Sequence, residues 1–255
     1  MQPSDDRDSN RDGPCRGAAV GRWPARSGAL LAALLLAALL ASTAAGCGGG
    51  GGDPPAIKEA REILQRVVIR PDQLPEAMER TEASFTTNET LAGASENSEE
   101  ELARLNTQGR ILSFAVFYAA ASESPIAGIQ NTATLFEASA GASESFAAAA
   151  QEAREADWEA LLGLDQLQTE EIERADLADD VVWIRNSGFQ KEEGGSGASL
   201  IANDDVLILR GRIRGFARVL TRLPDPSDRL SNVDEVAALM AAMVANIDAV
   251  LADRG

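Results

Sequence analysis

The apolar residues of this chain change period several times, and each change marks an element. Ala29–Ala41 is an unbroken run of Leu and Ala. From Ile57 to Ile69 the residues Ile57, Ala60, Ile63, Leu64, Val67 and Val68 fall at helical spacing, with Pro71 and Pro75 beyond them. That predicts an amphipathic helix with a defined stop. Leu74–Glu89 has no clear period and predicts a loop with a short strand near Phe85. Ser98–Leu105 predicts a short helix, with Ser98 and Glu101 at capping-box spacing and Gly109 closing it. Arg110–Ala121 (RILSFAVFYAAA) carries the strongest strand pattern. It is apolar at both parities, Ile111, Ala115 and Phe117 on one side and Leu112, Phe114, Val116 and Tyr118 on the other. A strand apolar on both sides belongs in the middle of a covered sheet.

Ile126–Glu137 alternates, with Ile129, Ala133 and Leu135 against Gln130, Thr132 and Thr134, and predicts a second strand. Ser139–Leu162 predicts a helix whose stripe is mostly small: Ala142, Phe146, Ala149, Ala150, Ala153, Leu161 and Leu162. Leu167–Asp176 predicts a weak strand and Val181–Asn186 a clear one. Glu192–Gly197 reads as a loop, and Leu200–Leu209 with Ile213–Thr221 as a hairpin about Arg210-Gly211-Arg212. The last element is a strong helix, with Val233, Val236, Ala237, Met240, Val244, Ile247, Val250 and Leu251 on one face. Ser231 or Asn232 would cap it, and Asp234 and Glu235 suit its positive end. The pattern predicts an α+β fold, a mostly antiparallel sheet with helices packed against it, as one domain over residues 57–255.

The apolar run at Ala29 belongs to a different kind of segment. It follows five Arg and leads through Ser42-Thr43-Ala44-Ala45-Gly46 to Cys47. A basic start, an apolar run and a small-residue site are the parts of a secretory signal. Ala44-Ala45-Gly46-Cys47 also resembles a bacterial lipobox, with Ala44 where Leu is usual. The resemblance implies a lipid on Cys47, cleavage after Gly46, and attachment to the outer face of a bacterial membrane. A plain cleavable signal or an uncleaved anchor stays open, since the 18 residues from Ala29 to Gly46 are near the lower limit for a spanning helix. Residues 1–46 then divide into a polar, disordered start and the signal. The Ala, Arg and Gly bias points to a GC-rich genome, in which Val20 is an alternative start to Met1. Residues 47–56, with Gly48–Gly52, form a flexible tether.

Composition narrows the function. Beyond Gly46 the chain keeps 18 Lys and Arg against 36 Asp and Glu. So acidic a chain lacks the basic footprint that nucleic acid requires. With Cys15 in the signal and Cys47 acylated, no disulfide forms in the exported part. The chain has no His, which removes Ser-His, Cys-His and His-metal chemistry. Neither of the two Lys, Lys58 and Lys191, sits in a Ser-Lys motif. Gly194–Ser199 (GGSGAS) lacks the strand-loop-helix setting of a phosphate loop. The acidic pairs Glu99–Glu101, Asp179-Asp180, Glu192-Glu193 and Asp204-Asp205 are the remaining candidates for carboxylate chemistry or cation binding. None has the spacing of a calcium loop, and no cofactor motif is present.

Leu74-Pro75-Glu76-Ala77-Met78, Phe85-Thr86-Thr87-Asn88-Glu89 and Gly109-Arg110-Ile111-Leu112, with Phe136-Glu137 leading into Ala142–Ala150, resemble exported bacterial lipoproteins of unknown function. The arrangement is also similar to the PsbP-like fold, an antiparallel sheet between helices that hosts accessory and binding proteins; it implies no chemistry. The expected function is a non-enzymatic envelope module that binds an apolar small molecule or an envelope protein. The alternative is a carboxylate-dependent hydrolase of envelope glycan or lipid. The Ala-rich helix either packs closely on Arg110–Ala121 or leaves space beside it; in the second case the space is an apolar ligand cleft lined by some of Phe114, Phe117, Tyr118, Phe136 and Trp183, with the Tyr118 hydroxyl and Trp183 indole orienting the guest. If Cys47 carries the anchor, Cys47→Ala should abolish partitioning into detergent or leave unprocessed precursor. Unchanged partitioning would place the anchor in the Ala29–Ala45 run.

Overall fold

The computed structural model describes residues 55–74, 78–120, 124–174, 176–178, 180–191, 198–223, 225 and 229–253. The signal segment, Cys47, the Gly tether and the Glu192–Gly197 loop lie outside the described residues. The chain forms α1 (Pro55–Val67), β1 (Met78–Thr86), two short helices α2 (Asn88–Ala92) and α3 (Ser98–Thr107), and the hairpin β2 (Arg110–Ala120) and β3 (Ile126–Phe136). Next come α4 (Ser139–Glu155) and α5 (Trp158–Leu162), then the meander β4 (Asp165–Glu171), β5 (Asp180–Lys191), β6 (Ala198–Arg210) and β7 (Ile213–Arg222), and last α6 (Val233–Ala252). The strands make one antiparallel sheet in the order β1-β2-β3-β7-β6-β5-β4. The α+β class predicted from the sequence is the class observed.

Both faces of the sheet are covered. The first carries Leu112, Phe114, Val116 and Tyr118 of β2, Ile129, Ala133 and Leu135 of β3, and Trp183, Val206, Ile208, Ala217 and Val219. It packs against α1 and α6 through Ile63, Leu64, Val67, Met240, Met243 and Ile247. α6 is long and apolar enough to cross a membrane by length and composition, yet it lies in this core. On the second face, Val182, Ile184, Ile201 and Leu207 meet Ala150, Trp158 and Leu162 of α4 and α5.

The segment leaving α1 loses its helical hydrogen bonds and recovers them from side chains, as buried backbone must. Asn131 Oδ1 accepts from the Ile69 N–H at 2.6 Å, and the Tyr118 hydroxyl donates to the Ile69 carbonyl at 2.8 Å. Asn246 of α6 donates to the Val68 carbonyl at 3.0 Å. These three bonds fix α1 to β2, β3 and α6 at once.

Several elements differ from their sequence expectation. Met78–Thr86 is a full edge strand, not a loop with a short strand. It pairs with one neighbour and only Met78 is buried, so nothing imposes an alternating pattern on it; Phe85 stacks on Phe114 at 4.4 Å between ring centres. α2 has no counterpart in the sequence pattern. The predicted Ser139–Leu162 helix breaks after Glu155, because Ala156 is extended and Asp157 caps a new helix by accepting from the Ala160 N–H at 3.1 Å. β4 begins and ends earlier than expected, and β5 is longer at its C-terminal end. The Ser98–Glu101 capping box does not form: Asn97 precedes the helix, and Glu101 pairs with Arg104. Asn232 occupies the cap of α6 in the left-handed region, at φ 65°, without a side-chain bond.

The hairpin about Gly211 forms as predicted, with Gly211 at φ 55°, which glycine adopts without steric cost. Ile247 of α6 is fully buried. Ile247→Ala should cost about 2–5 kcal/mol through lost burial and the cavity left, read as a lower urea midpoint with an unchanged slope. A wild-type midpoint would show that α6 contributes little to the core.

Candidate functional site

A groove runs along the second face of the sheet under α4. It has two compartments that share Ala149, Glu152 and Arg214. The first, of about 390 Å³, is walled by Ala149, Ala153, Ala156 and Trp158 opposite Leu207 and Phe216. Its floor is Gln130, Thr132 and Thr134 of β3, with Asp205 and Arg218 at one side. The second, of about 620 Å³, lies between α3 and α4 and is lined by Arg104, Arg110, Ser145 and Arg214. Both volumes fall in the range of about 300–1,000 Å³ usual for small-molecule sites.

The small residues of α4 leave the first compartment its width, and the helix is held in place by close approach. A Cβ at Gly141 would lie 1.8 Å from the Gln108 carbonyl oxygen at the end of α3. Gln108 Nε2 also donates to Glu144 at 3.2 Å. Position 141 therefore sets how near α4 comes to α3.

Two arginines define the second compartment. Arg110 is 6% exposed. Its parity would put it on the first face with Leu112, but the register shifts between Arg110 and Leu112. Such a bulge re-aims a side chain, and here it brings Arg110 onto Ser113 Oγ at 2.7 Å. Arg110 donates further to Asn88 Oδ1 at 2.5 Å and the Thr86 carbonyl at 3.0 Å. Arg214 Nη1 donates to Ser145 Oγ at 2.7 Å and the Ser145 carbonyl at 3.0 Å. All these acceptors are neutral, and among the described residues neither arginine has an ion-pair partner within 4.0 Å. Burial, with the like charge of Arg214 added and the carboxylates of Glu101 and Glu89 opposing, lowers the Arg110 pKa to about 10. Burial also lowers that of Arg214, helped by Arg104 and opposed by Glu152. Both stay cationic at neutral pH, in a setting that favours an incoming negative charge.

The other charges of the groove are matched. Arg218 makes two hydrogen bonds to Asp205, at 2.7 and 2.8 Å. Arg104 makes two to Glu101, at 2.8 and 2.6 Å. Glu152 is an exposed carboxylate on the rim, near enough to act on Arg214 electrostatically.

The five aromatic residues expected to line one cleft are not brought together. Phe114, Tyr118 and Trp183 lie in the core under α1 and α6. Phe136 is on the other face, with Ala142 and Leu209, and Phe117 follows the parity opposite to Tyr118 on β2. Both expected orienting groups are already engaged: the Tyr118 hydroxyl with the Ile69 carbonyl, and Trp183 Nε1 with Asp204 Oδ1 at 2.7 Å. Space beside the Ala-rich helix does exist, but Trp158 and Phe216 are its aromatic walls. Asp204 and Asp205 are neighbours on a strand and so point to opposite faces. Asp204 meets Arg185 on the first face and Asp205 meets Arg218 on the second, so they cannot act as a pair. Among the described residues no three His, Cys, Asp or Glu side chains gather as a metal site.

The arginines of the groove do leave a trace in the sequence, though not one that the apolar pattern brings out. β7, IRGFARVLTR, alternates apolar residues with Arg214, Arg218 and Arg222, and Arg110 is the one charged residue of a mostly apolar strand. Nothing local indicates which of these cations lack a carboxylate.

No protein-family model matches the chain, and no match is found among curated proteins. Among solved structures it is similar to the extracellular domain of PknH from Mycobacterium tuberculosis, with a TM-score of 0.45 and 7% identity over 74% of this chain and 95% of that one.

Burial pushes the Asp204 carboxyl up to about 6, against the pull of Arg185 and the Trp183 N–H. A carboxyl whose folded pKa is raised favours folding most when protonated. Its contribution is present below about pH 4 and is lost as pH rises through 6, by up to about 3 kcal/mol. Urea titrations from pH 4 to 7 should show this decline in the wild type and a flatter profile in Asp204→Asn. Parallel profiles would show that Asp204 stays ionised throughout.

Proposed function

We propose that this chain is an exported, lipid-anchored, non-catalytic binding module of the bacterial cell envelope, and that the groove under α4 is where it holds an anionic ligand. The observation that carries this reading is the state of Arg110 and Arg214. The exported part has twice as many carboxylates as cations, yet these two guanidinium groups, one buried and one partly buried, bond only to neutral acceptors among the described residues. Leaving a desolvated charge without its counter-charge costs stability, and an anion in the groove would offset that cost. The His-free composition and the separation of Asp204 from Asp205 to opposite faces support binding over hydrolysis. The signal pattern and the lipobox resemblance at Cys47 support the envelope location.

The full chain, purified in a neutral detergent, should carry a small molecule that ionises as an anion in native mass spectrometry. Arg214→Ala should lose it, because a hydrogen bond to a charged group contributes about 1.5–3 kcal/mol. A bare wild-type mass, or equal occupancy in Arg214→Ala, counts against the reading.

A further inference from the structure

We infer that the ligand is a single-chain amphipathic anion, a carboxylate or phosphate head on one unbranched hydrocarbon chain, with its head at Arg110 and Arg214 and its chain along α4 toward Trp158. The inference rests on the anion-binding reading above and adds the nature of the rest of the ligand. Its basis is that the two compartments differ in chemistry and meet at Ala149, Glu152 and Arg214, of which Arg214 is the cation. The second is the polar one, where Arg104, Arg110, Ser145 and Arg214 converge. The first is smaller and walled by Ala149, Ala153, Ala156, Trp158, Leu207 and Phe216. Arg214 lines both, so a head seated on it directs whatever it bears into the apolar compartment. The ions along that path, Arg218 and Asp205, neutralise each other and present no unmatched charge to a chain. A small anion would fill only the polar compartment, and a neutral hydrocarbon would leave the two arginines bonded only to neutral acceptors.

Glu152 is the one rim carboxylate that acts on Arg214. It competes with the head group for the same cation. Removing its charge should therefore tighten binding, an effect opposite to that of damaging the site.

The probe is ω-bromodecanoate, whose bromine quenches tryptophan at short range, added in a neutral detergent to the full chain carrying Trp23→Phe, which leaves Trp158 and Trp183 as its tryptophans. Trp158 lines the apolar compartment, whereas Trp183 is fully buried on the other face. Quenching is expected in this chain and should vanish when Trp158→Phe is added. Hexanoate, octanoate and decanoate should displace the probe with affinity rising about fourfold per methylene. Decyl phosphate should match decanoate, while methyl decanoate and inorganic phosphate should each bind at least about tenfold more weakly, as expected when the head or the chain contact is missing. Arg214→Ala should weaken decanoate at least about tenfold. Glu152→Gln, at an exposed position that leaves the fold intact, should tighten it about two- to fivefold.

Equal affinity for the three chain lengths, or inorganic phosphate binding as well as decyl phosphate, overturns the amphipathic ligand and leaves a small-anion site. Methyl decanoate equal to decanoate, together with indifference to both Arg214→Ala and Glu152→Gln, overturns the anion-binding reading as well. Quenching that persists in Trp158→Phe places the probe outside the groove and overturns the assignment of the chain's path.

Discussion

The central strands of the sheet are covered on both faces, so the polar side chains that this cover buries are taken out of water, and most of them find partners among their neighbours. Most of this molecule's particular features answer that constraint. On the first face Asn131 and Tyr118 serve the main chain of Ile69, so two polar groups within a core become the attachment of α1. Arg185 and Asp204, both essentially inaccessible, pair at 3.2 Å, with Trp183 Nε1 and the Ser231 carbonyl as their further partners. A buried pair of this kind adds little net stability, but breaking it leaves an unmatched charge in the interior. It also ties the start of α6 to β5 through Ser231, which fixes where that helix lands on the sheet.

The second face is answered differently. Its far half, over β5 and β6, is closed by the larger side chains Trp158, Leu162, Val182 and Leu207. Its near half, over β3 and β7, carries Thr132, Thr134, Arg214 and Arg218 beneath a helix of small residues. Small residues on a helix usually bring it closer to its neighbour. Here α4 makes its close approach at Gly141, against the Gln108 carbonyl, while Ala149 and Ala153 further along pack against the apolar cluster of this face and line the groove. The bulge in β2 completes the site by turning Arg110 from the closed face to the open one. The site is thus a joint product of one glycine, one bulge and a run of alanines, and none of these is a chemical motif.

The two edges of the sheet show the same economy. β1 and β4 bear exposed Glu, Arg and Gln side chains, and charge on an edge strand discourages pairing with another chain. That surface chemistry also makes both strands hard to read from the sequence. The exposed face of β1 has no apolar repeat, so its residues look like a loop. The apolar pattern of β4 starts two residues after the strand does, for the same reason.

The sequence by itself determined whatever depends on neighbours within one element. The two-sided burial of Arg110–Ala120, the alternation of β3, the hairpin about Gly211 and the apolar face of α6 are all periodicities, and a period survives without knowledge of the fold. The absence of His likewise removes His-dependent chemistry through composition alone. The tertiary structure alone decided which face each strand residue takes once a bulge intervenes, as Arg110 and Ile111 show, and which charges meet. Arg214 and Arg218 occupy equivalent places in the alternation of β7, yet Arg218 faces Asp205 on the next strand while Arg214 faces Ser145 on α4. Whether a cation is matched depends on residues distant in sequence, at separations that a local pattern does not encode. That difference in partner, invisible along the chain, separates an arginine matched by a carboxylate from one bonded only to neutral oxygens.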